Sequence, residues 1–265
     1  QISKVWPTQV HPDVPVGCHT GVYEMTEEFF NEITPYIKGP DVGEEVKKLT
    51  FCGHSLGGSI AMILAAWTKL RLDVDCVKMK VNVHTYGSPN VLALDMSLLN
   101  KMEKEEKETF RGYPKSALDA IGLEESALRA HVLSNDIVPR MWLSHDPVFN
   151  TLKSNEWGAN LLKWKEETFG RRGMLTMDRF LYEVSGYLIF LELGNDNAAK
   201  RAVVKETANL ETHLERLTWQ LEDFTSGAQN NPLRALAPAL EHNSQNYVVV
   251  MQYLAVNALL VKRKQ

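Results

Sequence analysis

The stretch that decides the fold runs from Lys48 to Leu70 and reads KLTFCGHSLGGSIAMILAAWTKL. Its first part, Leu49 to Cys52, is a short apolar run with an aromatic residue, which is typical of a buried strand. Gly53 to Gly57 then follows the pattern G-x-S-x-G, and the apolar, proline-free segment from Ser59 to Leu70 predicts a helix. The stretch therefore predicts a strand, a tight turn and a helix in direct succession.

This strand–turn–helix pattern is that of a nucleophile elbow, in which Ser55 takes an unusual backbone conformation and His54 precedes it. A side chain on Gly53 or Gly57 is expected to clash with the adjoining strand or helix. Ser55 would lie at a helix N-terminus, where N–H groups and the helix dipole favour negative charge. The N–H of Leu56 is thus expected to hold the oxyanion of an acyl-transfer intermediate. A G-x-S-x-G pattern alone also fits an ordinary glycine-rich turn.

Composition favours one globular domain. The chain has 265 residues, 44% of them hydrophobic, and a net charge of −4, which argues against a nucleic-acid partner. Cys18, Cys52 and Cys76 are odd in number and widely spaced, so they predict neither a disulfide framework nor a metal site, and favour a reducing compartment. Cys52, in the predicted core strand, is expected to be buried. The sequence contains no apolar run of about 18 residues that would predict a membrane span.

Strands and helices alternate along the chain, which predicts an α/β fold with a mostly parallel central sheet. We expect a single domain over 1–265, with helical insertions at about 95–130 and 144–230. Gln1 to Gly17 is predicted to be extended or loop, and Thr26 is the expected N-cap of the first helix. The remaining predicted elements are strands at Val77–Tyr86, Ala130–Leu133 and Tyr182–Leu193, and helices at Thr26–Lys38, Ala198–Phe224 and Ser244–Val261.

A serine hydroxyl needs a base, and the base needs an orienting acid. In α/β-hydrolases these residues follow the serine in the order acid, then histidine. Asp136 directly follows a predicted strand, so it would lie at the ligand-binding edge of the sheet. Three histidines come later: His213 lies within a predicted helix, and His145 is close to Asp136 in the chain, although a loop could still bring it in. His242 precedes the last helix and is the favoured base.

The chain resembles the class 3 lipases, the family that includes filamentous fungal triacylglycerol lipases and diacylglycerol lipases. The matching pieces occur in the family's order, and the combination of G-H-S-L-G-G with N-D-x-V-P is specific. They are His19–Tyr23, Gly53–Gly58, Tyr86–Pro89, Asn135–Pro139, and His242 with Tyr247 five residues on.

This resemblance implies an α/β-hydrolase fold with Ser55 as nucleophile, Asp136 as orienting acid and His242 as general base. It also implies an upstream strand ending in an Arg-Gly-Thr-like turn, which supplies the second oxyanion N–H. Gln1 to Gly17 contains nothing like that turn, so the N-terminal oxyanion strand is expected to be missing.

Two functions follow as hypotheses. The first is a cofactor-free, metal-free serine hydrolase of the acylglycerol lipase type, acting on acyl lipids and contacting a membrane or lipid surface peripherally. Trp157–Trp164 would then form a lid, although packing on the core is the plainer interpretation of that segment. The second is a lipase-like structural subunit that binds protein partners through its helical insertions. The leucine stripe of Leu210–Phe224 could serve as the seam, although ordinary core packing is the favoured interpretation of the stripe. Either would be intracellular, in the cytoplasm or an organelle.

Overall fold

A computed structural model describes the parts of the chain that build the sheet and the candidate site. These are residues 7–38, 48–72, 79–95, 114–133, 136, 138–140, 156, 159–160, 163, 182, 185–193, 202–207 and 242–262. The predicted lid residues Trp157 and Trp164 and the leucine stripe of Leu210–Phe224 lie outside this set, as does Cys76.

In the described part of the chain, eight strands form two sheets. In chain order the strands are β1 (Pro7–Gln9), β2 (Val16–His19), β3 (Lys48–His54), β4 (Lys80–Tyr86), β5 (Leu92–Leu94), β6 (Leu128–Leu133), β7 (Tyr187–Leu193) and β8 (Ala202–Thr207). The larger sheet has the order β3-β4-β6-β7-β8 and is parallel except for β8. The smaller sheet, β1-β2-β5, is antiparallel. The mostly parallel central sheet predicted from the alternating pattern is confirmed.

Helices cover both faces of the larger sheet. The helices are α1 (Thr20–Lys38), α2 (Leu56–Arg71), α3 (Ala117–Ile121) and α4 (Ser244–Lys262). The main core lies between one sheet face and α2, whose Ile63 and Trp67 are fully buried. A second cluster on the opposite face joins Leu133 and Leu191 to Tyr247 and Val250 of α4. The last helix thus begins where the sequence predicts it and packs over the end of the sheet.

Strand β3 is less buried than its apolar sequence predicts. It occupies the edge of the sheet in the described part of the chain, and its residues are exposed or half-buried. Phe51 packs against the main core, whereas Thr50 and Cys52, its neighbours along the strand, point to the opposite face and are exposed. The expectation that Cys52 is buried is therefore wrong, because an apolar run does not distinguish an edge strand from a central one.

Two helix predictions are also wrong. Helix α1 begins at Thr20 rather than Thr26, whose buried hydroxyl donates to the Val22 carbonyl at 2.7 Å and so does not cap the helix. The helix predicted over Ala198–Phe224 is replaced over Ala202–Thr207 by β8, which pairs antiparallel with β7. The β-branched residues of this segment favour a strand, and a neighbouring strand was available to pair with it.

Candidate active site

Ser55 occupies the turn between β3 and α2 with a backbone conformation that is rare for a residue with a side chain. Its φ is 54° and its ψ is −128°, and it is the one non-glycine residue with positive φ in the described part of the chain. Such a conformation costs on the order of 1–3 kcal/mol and persists only where surrounding structure fixes it. Here the Ser55 N–H donates to the Tyr86 carbonyl at 2.9 Å, which anchors the turn to β4.

Packing requires glycine at some of the positions around Ser55 but not at all of them. A Cβ on Gly53 would overlap the backbone of Gly57, so the predicted clash there is confirmed. A Cβ on Gly57 would meet nothing within 4 Å, so the predicted clash at this position is wrong. The second crowded glycine is Gly58, where a Cβ would lie 2.7 Å from Ser88 Cβ and 2.8 Å from the Gly53 carbonyl oxygen. The G-x-S-x-G pattern thus identifies the turn but not the glycine that the packing requires.

Asp136 follows β6 and is completely buried. Its Oδ1 accepts the Val138 N–H at 2.9 Å, which forms an Asx-turn, the local turn that Asp side chains readily make with the backbone two residues on. Its Oδ2 accepts the hydroxyl of Tyr247 at 2.6 Å. A buried carboxylate needs such donors, because burial of an unpaired charge is costly.

His242 joins Asp136 to Ser55. Its Nδ1 lies 2.9 Å from Asp136 Oδ2 and 3.1 Å from Oδ1, and its Nε2 lies 2.8 Å from Ser55 Oγ. The hydrogen-bonded chain therefore runs from hydroxyl to imidazole to carboxylate across sequence separations of 187 and 106 residues. Of the three histidines that the sequence left open, His242 is the one that the described residues bring to Ser55, and His145 and His213 lie outside the described residues.

Tyr247 ties this site to the sheet. Besides donating to Asp136, its hydroxyl accepts the backbone N–H of Leu133 at 3.0 Å, and the residue is buried. Gly87, with φ of 57°, leaves room for this contact, since a Cβ there would lie 2.5 Å from Asp136 Oδ2 and 2.7 Å from the Tyr247 hydroxyl. The sequence analysis identified Tyr247 only as one of the positions that match the family, and predicted no role for it. Its place in the first turn of a helix that follows His242 is the signal that could have suggested a role.

The turn after β4 braces the two chain segments that flank the site. The Ser59 hydroxyl donates to the Pro89 carbonyl at 2.8 Å, and the Asn90 side chain donates to the Pro139 carbonyl at 3.0 Å. Both Ser59 and Asn90 are buried. These bonds link the first turn of α2 to the segment that follows Asp136.

Leu56 is the first residue of α2, next to Ser55. The first N–H groups of a helix have no partner within the helix. Here the first bonds to the Ser55 carbonyl come from the N–H groups of Gly58 at 3.0 Å and Ser59 at 3.4 Å. The N–H of Leu56 thus precedes the hydrogen-bonded turn, which is the position expected of an oxyanion donor.

Two further histidines lie next to each other on β4 and β6. His84 Nδ1 and His131 Nε2 are 3.2 Å apart, and the Tyr86 ring stacks on His131 with 4.7 Å between ring centroids. Burial lowers the pKa of His131 to about 4, assisted by the charges of His84 and Arg129. Burial also lowers the pKa of His84, together with Arg129 and Lys48. Both rings therefore favour the neutral form near pH 7.

The parallel sheet, the strained serine at a strand-to-helix turn and the acid at the end of a neighbouring strand define an α/β-hydrolase fold. The family model described as Lipase (class 3) matches residues 3–145, a span that contains Ser55 and Asp136. The chain belongs to the class 3 lipase family, as its motifs predict.

Three relatives have named activities. The chloroplast phospholipase A1 PLIP2 of Arabidopsis thaliana is 30% identical over 175 residues, covering 66% of this chain and 21% of the relative. The chloroplast phospholipase A1 PLIP1 of the same plant is 28% identical over 282 aligned positions, covering 95% and 37%. The secreted mono- and diacylglycerol lipase 1 of Fusarium solani is 36% identical over 81 residues, covering 30% and 22%. The chain thus spans well under half the length of these relatives.

Among solved structures, the lipase–propeptide complex of Rhizomucor miehei superposes with a TM-score of 0.45 and 17% identity, covering 77% of this chain and 46% of that chain. A second structure, titled as M37 lipase, superposes with a TM-score of 0.40 and 14% identity, covering 83% and 60%.

Proposed function

We propose that the protein is a serine hydrolase that cleaves the carboxylic esters of acyl lipids through Ser55, His242 and Asp136. The observation that carries the proposal is the hydrogen-bonded chain from Ser55 Oγ through His242 to Asp136, with heavy-atom distances of 2.8 and 2.9 Å. Both distances are within the reach that proton transfer and imidazole orientation require. Side chains this far apart in the sequence converge in this way in enzymes that activate a serine.

In the proposed mechanism, Ser55 Oγ attacks the ester carbonyl carbon while His242 Nε2 takes the hydroxyl proton. Asp136 stabilises the resulting imidazolium through the Nδ1–H, and the N–H of Leu56 donates to the oxyanion. Collapse of the tetrahedral intermediate expels the alcohol, which receives the proton from His242, and leaves an acyl group on Ser55. Water, deprotonated by His242, then attacks the acyl-enzyme and releases the fatty acid.

The proposed substrate class is the ester of a fatty acid with glycerol, which is the class predicted from the sequence for an acylglycerol lipase. The names of the relatives support this class, since two are phospholipases A1 and one acts on mono- and diacylglycerols. The bond cleaved in phospholipids and acylglycerols is the same carboxylic ester. Contact with a lipid surface and the single-domain organisation remain predictions; no helix in the described residues is long and apolar enough to cross a bilayer.

We propose an intracellular setting, in the cytoplasm or an organelle. Cys18 and Cys52 are both free thiols, which suits a reducing compartment. The two plant relatives are chloroplast proteins by name, and the fungal relative is secreted. Fractionation of source cells would test this, and recovery of the protein from the culture medium would contradict it.

The test is covalent labelling of the full-length protein by a fluorophosphonate, compared with Ser55→Ala. Wild-type protein should be labelled at Ser55 and should release fatty acid from vesicles of phosphatidylcholine or from dispersed diacylglycerol, and the variant should do neither. Ser126→Ala is the matched control, because it removes a hydroxyl that bonds Glu124 near the start of β6, whereas Asp136 follows the other end of that strand. A folded wild-type protein that is neither labelled nor active would favour the structural-subunit alternative.

A further inference from the structure

The ring of His54 lies against the loop that carries His242. His54 Nε2 is 3.0 Å from the backbone carbonyl oxygen of His242. The two imidazole rings stack with 4.9 Å between centroids and 28° between planes. The rings of His54 and Tyr247 also meet in an edge-to-face arrangement, with centroids 5.5 Å apart. His54 therefore contacts both the residue bonded to Ser55 and the residue bonded to Asp136.

The hydrogen bond fixes where the proton of His54 lies. A carbonyl oxygen only accepts, so Nε2 must carry a hydrogen for the bond to form. Burial lowers the pKa of His54 from its ordinary value of 6.5, and the His242 ring acts in the same direction. Near pH 7 the ring is thus neutral with its hydrogen on Nε2. A neutral ring can stack on His242 without repelling the imidazolium that forms there in the proposed mechanism.

The bond to His242 joins chain segments 188 residues apart. His242 lies in a turn that directly precedes α4, outside the regular hydrogen bonding of that helix. Its part-buried backbone carbonyl takes a partner from elsewhere in the fold. His54, the last residue of β3, supplies it from the rigid sheet.

We propose that His54 is a positioning residue: its Nε2–H donates to the His242 carbonyl and so holds the His242 imidazole at the angle that reaches Ser55 Oγ, with the His54 ring packed beside that imidazole. This inference rests on the proposed function of Ser55 and His242, and assigns His54 a task beyond its place in the G-x-S-x-G pattern. A displacement of about 1 Å in a reacting group can cost about 100-fold in rate. Loss of this support should therefore reduce turnover while leaving substrate binding almost unchanged.

Three variants of the full-length protein separate the two contacts. His54→Gln keeps a side-chain N–H donor but removes the ring, His54→Phe keeps a ring but removes the donor, and His54→Ala removes both. His11→Gln is the matched control, because His11 lies in the turn between β1 and β2 and contacts Asp13. The measurements are kcat and KM on a soluble short-chain ester, divided by the fraction of sites that a fluorophosphonate titrates, together with the melting temperature.

We expect His54→Ala and His54→Phe to lower kcat per titrated site about 10- to 100-fold, with KM within about twofold. His54→Gln should recover most of kcat, and His11→Gln should match wild type. If His54→Ala melts below the assay temperature, the Gln and Phe variants still decide between donor and ring. Unchanged kcat per titrated site in His54→Phe, or no gain from Gln over Phe, would overturn the proposal. A wild-type protein without labelling would instead reject the proposed function itself.

Discussion

Replacing Asp136 by Asn changes the charge of the site with almost no change in shape, so it tests the proposed orienting role directly. Three groups donate to the carboxylate: the Val138 N–H at 2.9 Å, the Tyr247 hydroxyl at 2.6 Å and His242 Nδ1 at 2.9 Å. An amide has one oxygen to accept these donors and one NH2 group that only donates.

If the amide oxygen keeps the Val138 bond, its NH2 group faces both Tyr247 and His242. His242 Nδ1 must then accept a hydrogen bond, which moves the ring proton to Nε2. An Nε2 that carries a proton donates to Ser55 Oγ and cannot take its proton. In serine proteases the same acid-to-amide change leaves the imidazole in the wrong tautomer and lowers kcat about 10⁴-fold.

We therefore expect Asp136→Asn to lower kcat on a soluble ester about 10⁴-fold, or about 5.5 kcal/mol in barrier. The assay is ester hydrolysis with Ser55→Ala as the background, and the far-ultraviolet circular dichroism spectrum checks folding. A folded Asp136→Asn protein that keeps more than about a tenth of wild-type kcat would refute the reasoning, because it would show that Asp136 does not fix the tautomer of His242.

Three further results are expected. Tyr247→Phe should lower the free energy of unfolding by about 2–4 kcal/mol in urea titrations, because it removes one donor to a buried carboxylate and leaves a buried N–H unpaired; a loss below about 0.5 kcal/mol would contradict this. Gly57→Ala should keep or raise the melting temperature and Gly58→Ala should lower it, because a Cβ has open space only at the first position; equal effects would contradict the packing described above. His131 is neutral when folded, with its pKa lowered from 6.5 to about 4, so the unfolded chain binds an extra proton in this window and stability falls as pH drops through it. In His131→Phe, the free energy of unfolding should fall less steeply with decreasing pH, by up to about 1.4 kcal/mol per pH unit. A variant whose stability depends on pH in the same way as that of wild type would contradict this.

Local chemistry accounts for what the sequence predicted well. The G-x-S-x-G pattern between an apolar run and an apolar helix predicted the turn at Ser55, and the strained φ of 54° bears it out. The alternation of strands and helices predicted the parallel sheet, because crossover helices and buried strands leave distinct periodic patterns. The limits of the last helix were predicted to within one residue, since a long apolar segment after a polar loop has few alternatives.

Other features depended on neighbours that a local pattern cannot reveal. Whether β3 lies at the edge of the sheet, and so whether Cys52 is exposed, depends on which strands pair. The segment at Ala202–Thr207 became a strand because β7 offered it a partner. The glycine requirement at Gly58 rather than Gly57 comes from Ser88, 30 residues away in the chain.

The sequence by itself determined the family, the fold class and the nucleophile turn, because each depends on short motifs or on periodic patterns within single segments of the chain. Tertiary structure decided which histidine reaches Ser55, what holds Asp136, and what His54 contacts. The contacts of His242 and Tyr247 with Ser55, Asp136 and His54 join residues more than 100 positions apart, and the packing of α4 over the ends of β4 and β6 brings them together.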